Sequence, residues 1–391
     1  MVSRVAREKV SPRANDIDRF AKYPEDMFSL LRELGLFALP LPENYGGSAS
    51  TVSACLAVEE LGRVCYNTAY LLAVQWTPCS AIDASATQAQ KDEWLPDLAS
   101  GKNRASISVT EAQSGSDVRG IKTTAKPVPG GYLISGTKVW CTGAAVSDYI
   151  FVAAKTATDV VYPNQGRPGE IHFYKIDSSS KGLTIGRAED KTGARGISSH
   201  PLYLDQVFVP EEHRLGTHAD GFKRVMQAFN LARPIHAARG VGLAQGAIDH
   251  SIEFIQQRRA FGQTVDSFQG LRWMIADMSM QTEAARSLVY RVAQMLDDHE
   301  SQTELARMAA TAKCFATDVA MKVSTDAVQL FGSSGISADF PINRYMRDAK
   351  VLQIIEGTNQ IQRNIVSDAL LGRVARQPSK NISSDLETSW K

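Results

Sequence analysis

The stretch Gly131-Tyr-Leu-Ile-Ser-Gly-Thr-Lys-Val-Trp140 decides how this chain is organised. Tyr132 and Ile134 alternate with neighbours of other character, the two-residue period of a half-buried strand. Four other short runs share its texture: Ala105 to Val109, Tyr149 to Ala153, Ile171 to Ile176 and Leu202 to Val209. Ile171 and Phe173 alternate in the same way, and clusters of Gly, Pro, Asn and Asp separate the runs. This predicts an antiparallel sheet folded into a small barrel or sandwich over residues 105–214. Gly131 to Lys138 also nearly spells a phosphate-binding loop, but Thr137 stands where lysine is required and both flanks read as strands, so a hairpin fits better.

On both sides of this stretch the period changes to helical. Before it, Met27, Leu30, Leu31 and Leu34, then Val58, Leu61 and Val64, recur at helical spacing, with breaks at Pro40, Pro42 and Gly46-Gly47. After it, Val225 and Phe229, then Ile248, Ile252 and Ile255, and later Val319, Val323, Ala327 and Leu330 keep that period over long runs suited to a bundle. The expected fold is mixed and mainly α: a helical domain at 1–104, the β domain at 105–214, a helical bundle at 215–375, and a flexible polar tail at 376–391.

Composition narrows the functional classes. The 391 residues carry 43 Lys+Arg and 42 Asp+Glu, a formal charge of +1, so no bulk field attracts nucleic acid or anionic lipid. With 43% hydrophobic residues and a mean hydropathy of -0.19 the chain is an ordinary globular protein of two or three domains. Cys55, Cys65, Cys79, Cys141 and Cys314 are odd in number and scattered, with no metal-like spacing. No apolar run is long enough to cross a bilayer, and the start, Met-Val-Ser-Arg-Val-Ala-Arg-Glu-Lys, is too charged for a secretory signal. A cytoplasmic protein is expected, or one of the mitochondrial matrix in a eukaryotic source.

Common catalytic signatures are missing from the sequence. Gly240-Val-Gly-Leu-Ala-Gln-Gly246 imitates a dinucleotide fingerprint but sits in a helical pattern with no preceding strand, and reads as close helix packing. There is no H-E-x-x-H and no G-x-S-x-G, and the seven histidines are dispersed. No metal site is expected.

Polar, glycine-rich segments stand instead at the domain joints: Val109-Thr-Glu-Ala-Gln-Ser-Gly-Ser-Asp117, Lys138-Val-Trp-Cys-Thr142, Arg258-Arg-Ala-Phe-Gly262 with Phe268-Gln269, Gln329-Leu-Phe-Gly332, and Arg347-Asp-Ala-Lys to Ile355-Glu-Gly-Thr358. Each alone has a plain structural reading; Trp140, for instance, alone reads best as a core aromatic. In this order and spacing they closely resemble the acyl-CoA dehydrogenase family of flavoproteins. The match runs from Gly35 to about Gly372.

The resemblance implies FAD held between the β domain and the bundle, completed by a neighbouring subunit of a homotetramer built as a dimer of dimers. It implies that Val109 and Thr110 meet the flavin and Ser116 the pantetheine of CoA, with Ala112 replacing the usual proline. Trp140 packs beside the isoalloxazine, and the Thr142 hydroxyl lies near N5. Arg258, Phe261, Gln269 and Gln329 grip the adenine and pyrophosphate of FAD bound mainly by the partner, a task that suits the planar fork of arginine. The family's Gly-Gly-x-Gly reads Gly332-Ser-Ser-Gly335, so one backbone approach falls at Ser333. Thr358 and Gln360 join the flavin contacts, Gly357 and Arg233 the substrate contacts, Arg233 toward CoA.

Glu356 matches the family's catalytic glutamate. Ile354 and Ile355 precede it, and apolar surroundings raise a carboxylate's pKa, as removal of a proton alpha to a thioester requires. The implied reaction is dehydrogenation of an acyl-CoA to the trans-2-enoyl-CoA, with hydride passing to flavin N5 and then to electron-transfer flavoprotein. An enoyl-CoA reductase, an acyl-carrier-protein dehydrogenase, an acyl-CoA oxidase and a silent flavin-binding scaffold are the alternatives. Leu71, Leu72, Gln75 and Trp76 are expected near the deep end of the pocket, Trp76 either reshaping the cavity or filling the core.

Overall fold

The computed structural model describes residues 1–157, 169–216 and 221–372. The expected tail at 376–391 lies outside them. Six helices come first: α1 (Val2–Val5), α2 (Ala14–Phe20), α3 (Glu25–Glu33), α4 (Thr51–Val64), α5 (Tyr66–Ser85) and α6 (Gln88–Ala99). Local chemistry fixes their starts. Ser50 Oγ accepts from the Ser53 N–H at the head of α4, and Thr87 and Gln90 form a reciprocal capping box at the head of α6.

Seven strands follow: β1 (Ala105–Ser108), β2 (Thr124–Val128), β3 (Gly131–Thr142), β4 (Tyr149–Thr156), β5 (Ile171–Asp177), β6 (Leu183–Ile185) and β7 (Ser199–Pro210). Their order is β1-β4-β2-β3-β7-β6, with β5 also on β4. The sheet is mostly antiparallel, but β1 and β2 both pair parallel with β4, a correction to the wholly antiparallel expectation. The reason is topological: the β2–β3 hairpin intervenes between β1 and β4, so β4 returns in the direction of β1. β4 is buried on both faces. Ile150, Val152 and Ala154 face the inside of the curled sheet, while Tyr149, Phe151 and Ala153 pack with Trp94 and Leu95 of α6.

The C-terminal part comprises α7 (Gly221–Gln257), the short hairpin β8 (Arg259–Ala260) and β9 (Gln263–Thr264), then α8 (Gln269–Asp297), α9 (Gln302–Phe331), α10 (Ile342–Ile354) and α11 (Asn359–Leu371). Its helices share one apolar core with α4 and α5, including Val58, Leu61, Val241, Ala244, Ala316 and Ala320. Glycine is required at that contact. A Cβ at Gly246 would stand 1.9 Å from the Arg63 carbonyl oxygen and one at Gly242 2.1 Å from that of Glu59, which confirms close helix packing for the Gly240–Gly246 stretch.

Candidate active site

α10 ends at Ile354 and α11 starts at Asn359, and the turn between them carries Glu356. Glu356 has φ 56° and Gly357 φ 83°, left-handed backbone that is unfavourable for a glutamate. Three side chains hold the turn. Lys313 Nζ donates to the Gly357 carbonyl and to Asn359 Oδ1, both at 2.9 Å. Gln362 Nε2 donates to the carbonyls of Glu356 (3.2 Å) and Gly357 (2.8 Å), and the Thr358 hydroxyl caps α11 by accepting from the Ile361 N–H. Glycine is favoured at 357 by its φ, and a Cβ there, 2.7 Å from Gln362 Nε2, would displace the amide that braces the turn.

The Glu356 side chain is 22% exposed, and its Oε1 lies 3.8 Å from His236 Nε2 on α7. Arg239 Nη2 donates to His236 Nδ1. A guanidinium only donates, so Nδ1 is the acceptor and the ring proton sits on Nε2, facing the carboxylate. Burial, then the charges of Arg239, Lys313 and Arg233, keep the imidazole well below its ordinary pKa. The His–Glu contact is therefore not an ion pair. Burial raises the Glu356 carboxyl above its ordinary value despite the pull of Arg239, Lys313 and Arg233 in the other direction. Burial likewise lowers Arg233 to about 10 and Lys313 to about 8, with Glu356 opposing both shifts.

The opposite wall comes from the sheet. The Val139 N–H donates to the Thr110 carbonyl at 2.9 Å, joining the segment after β1, with Val109 and Thr110, to β3. The pairing of β3 with β7 slips between Lys138 and Cys141, and within that bulge Trp140 adopts φ 61° with 53% exposure. The indole is thus a presented surface and not a core filler. Lys138 and Glu111, both buried, anchor the bulge. Lys138 Nζ bonds Glu111 Oε1 at 2.8 Å and the Val109 carbonyl at 3.0 Å, and Glu111 also accepts from the N–H groups of Lys122 and Thr123. Thr142 pairs with Ser199 Oγ at 3.1 Å. Tyr70 of α5 is buried, with Thr142 on one side of it and the charges of Arg239 and Glu356 on the other acting on its hydroxyl.

Val109, Thr110, Trp140 and Thr142 thus share one wall, and Arg233, Glu356 and Gly357 the other. Ser116 is exposed and makes no side-chain hydrogen bond among the described residues; Gln360 is also exposed. Arg258, Phe261, Gln269, Gln329 and Ser333 are somewhere else. From His236 to the end of α7 the helix rises roughly 30 Å at 1.5 Å per residue, and Arg258 follows that end. α9 runs the same way, with Phe331 stacked on Phe254 at 4.1 Å, so Gln329 lies with Arg258 and far from Lys313. All five are exposed, Phe261 by 93% with φ 53°.

The side chains on these two surfaces have the chemistry that a flavin dinucleotide would need at its two ends. A half-exposed indole beside a threonine hydroxyl offers the flat apolar contact and hydrogen bond that a flavin ring accepts. The distal arginine offers a phosphate contact, and Phe261, edge-on to Phe268 at 6.0 Å, still exposes most of its ring. Ser333 is compatible with this. Gly332 has φ 59° and a Cβ at Gly335 would stand 2.4 Å from the Val328 carbonyl oxygen, whereas Ser333 has no positive φ, so glycine is retained at both positions that need it.

Leu71 and Gln75 line a cavity of about 10 Å³ behind the Thr142–Gly143 turn, room for one water and not for an acyl chain. Trp76 is buried elsewhere, its indole donating to the carbonyls of Leu36 and Phe37, and is a core residue. Sequence reasoning missed His236, Arg239, Lys313, Tyr66 and Tyr70. A signal existed: Arg233, His236 and Arg239 recur every third position of an otherwise apolar helical run, which places them on one face.

A helical domain, a curled sheet and a helical bundle around a mostly buried carboxylate and a presented indole are the architecture of a class of flavin-dependent oxidoreductases. The models of the acyl-CoA dehydrogenase N-terminal, middle and C-terminal domains match residues 1–102, 106–207 and 219–371. The chain belongs to the acyl-CoA dehydrogenase family of FAD oxidoreductases. A probable acyl-CoA dehydrogenase, fadE25 of Mycobacterium leprae, is 37% identical over 94% of this chain and 92% of its own. The butyryl-CoA dehydrogenase structure from Megasphaera elsdenii is 34% identical, with a TM-score of 0.88 over 95% of this chain and 96% of that one. A chain from structural work on the electron transferring flavoprotein of Acidaminococcus fermentans matches with the same identity, coverage and TM-score. Among the described residues no helix is long and apolar enough to cross a membrane.

Proposed function

We propose that the protein oxidises an acyl-CoA to its trans-2-enoyl-CoA with Glu356 as the base. The observation that carries this is a mostly buried carboxyl of raised pKa, held by a braced left-handed turn next to a neutral imidazole. Burial makes Glu356 basic enough to take the alpha proton, while the surrounding cations oppose that rise and keep the carboxylate ionised before substrate arrives. The Glu356 N–H, in the braced turn, serves the thioester oxygen, and Arg233 receives CoA. Val109, Thr110, Trp140, Thr142, Thr358 and Gln360 hold the flavin, which when bound supplies the hydride acceptor. Ser116 meets pantetheine.

Arg258, Phe261, Gln269, Gln329 and Ser333 act on the FAD of a partner, in a dimer of dimers. Electron-transfer flavoprotein is the proposed acceptor, a reading supported by the Acidaminococcus match. Five buried, unpaired cysteines suit the reducing cytoplasm. The test is anaerobic addition of saturated thioesters to the yellow holoenzyme. Bleaching of the flavin is expected, and Glu356→Gln should slow it by roughly 100- to 10,000-fold while retaining FAD. Near wild-type bleaching by that variant means that another group is the base. No bleaching of the wild type, with reduction of enoyl-CoA instead, means a reductase.

A further inference from the structure

The pocket holds more positive charge than its known duties use. Arg233, Arg239 and Lys313 surround one carboxylate, Glu356, and His236 is neutral. Lys313 is committed to the Gly357 carbonyl and Asn359. The nearby Asp318 is already satisfied by Arg363, Asn359 and Gln353, and Asp348, which acts on Tyr66, accepts from the Ala194 N–H and lies in the fields of Arg344 and Arg347. Arg233 is assigned to CoA. Arg239 remains. It is fully buried, and its Nε and Nη1 have no hydrogen-bond partner among the described residues.

Its surroundings form a built site. The guanidinium lies 4.5 Å from the ring centre of Tyr70 and 5.2 Å from that of Tyr66, and the Tyr66 hydroxyl is itself buried without a partner. Leaving a buried guanidinium with free N–H groups is costly, and a carboxylate meeting those groups removes the cost. Arg233, 6% exposed, has the same two unpartnered atoms and is the one given to CoA, whereas Arg239 has no exposure and lies across the His236 ring from Glu356. An acyl chain is the part of the substrate that penetrates there. Arg239 is separated from Glu356 by the width of the His236 ring, which is the reach of a short chain beyond the alpha carbon.

Resting on the dehydrogenase reading above, we infer that the substrate is the CoA thioester of a short dicarboxylic acid, whose distal carboxylate is received by Arg239 and Tyr66. The chemistry at the alpha and beta carbons is unchanged, and the distal carboxylate stays on the product. A straight apolar chain of the same length leaves Arg239 unpaired and is therefore discriminated against.

The experiment compares anaerobic flavin reduction of the holoenzyme by glutaryl-CoA and succinyl-CoA with reduction by pentanoyl-CoA and butyryl-CoA. A preference of roughly 100-fold or more in rate over dissociation constant is expected for the dicarboxylic thioesters, and Arg239→Gln should collapse it to a few-fold. Calorimetric binding of glutaryl-CoA against pentanoyl-CoA to Glu356→Gln reads the same preference without turnover and without altering Arg239. Equal reduction or equal binding of the two thioesters by the unaltered pocket overturns the inference. So does an Arg239→Gln protein that, compared above the pH limb of Glu356, keeps the wild-type preference between the two substrates, which would make Arg239 a positioning residue for Glu356. If no thioester bleaches the flavin, the dehydrogenase reading fails, and the binding preference still decides for or against the carboxylate.

Discussion

As the proposed base, Glu356 works only when deprotonated, and its pKa is set by opposing influences of different origin. Burial raises it, while Arg239, the leading influence in the other direction, lowers it, followed by Lys313 and Arg233. The rate of flavin reduction therefore climbs with pH through a limb displaced to higher pH than that of an ordinary carboxylic acid. Replacing Arg239 with Gln removes a charge that favours the ionised form, so the limb moves further up. A stopped-flow profile of the reductive half-reaction reads both positions; an unmoved limb in the variant would show that the guanidinium does not act on the base. His236→Asn tests the neighbouring contact. A neutral side chain replaces a neutral ring, so the limb should shift much less than for Arg239→Gln, whereas a shift as large would require a charged imidazole.

Strand β3 shows how an element is bent to serve the site. Its bulge at residues 138–141 turns Trp140 outward, and the Lys138–Glu111 pair fixes that bulge from beneath. Lys138→Met strands a buried carboxylate and should cost about 3–5 kcal/mol, measured by urea unfolding of the holoprotein. Burial pushes Glu111 up, but the bonds from Lys138, Thr123 and Lys122 outweigh it and hold the carboxyl down at about 2. Since the folded pKa is below the ordinary value, this stabilisation is complete above about 4.5 and is lost as pH falls from there toward 2. The strand itself was legible, because alternation at Tyr132 and Ile134 is local. The bulge was not: it arises from pairing with β7, far along the chain. Parallel pairing of β1 with β4 was hidden for the same reason. Trp76 was ambiguous because a deep aromatic looks alike in sequence whether it lines a cavity or fills the core; only its hydrogen bonds to Leu36 and Phe37 distinguish them.

At the scale of the molecule, long helices separate the two groups of site residues. The motifs could be found from sequence because each is contiguous, but their division into two distant surfaces depends on how far α7 and α9 run. The cluster of Arg233, His236 and Arg239 with Lys313 and Tyr70 went unread because three elements contribute to it. Separation by roughly 30 Å along α7 predicts that Arg258→Ala empties the site at ordinary FAD levels, and is inactive there, while leaving the Glu356 pocket intact, so that a large excess of FAD should restore its activity in vitro. A monomer that keeps FAD in sedimentation experiments contradicts the shared site.

That spacing has a genetic consequence. If the site is shared as proposed, a chain with Glu356→Gln is dead at its own pocket yet still lends a sound Arg258 to its neighbour, and a chain with Arg258→Ala has the converse defect. Randomly paired, the two inactive chains should rebuild about a quarter of the working centres, because half of the pairs are mixed and each mixed pair has one complete centre. Two alleles that each abolish growth on the substrate would then rescue one another in a single cell, whereas two alleles at the same pocket would not.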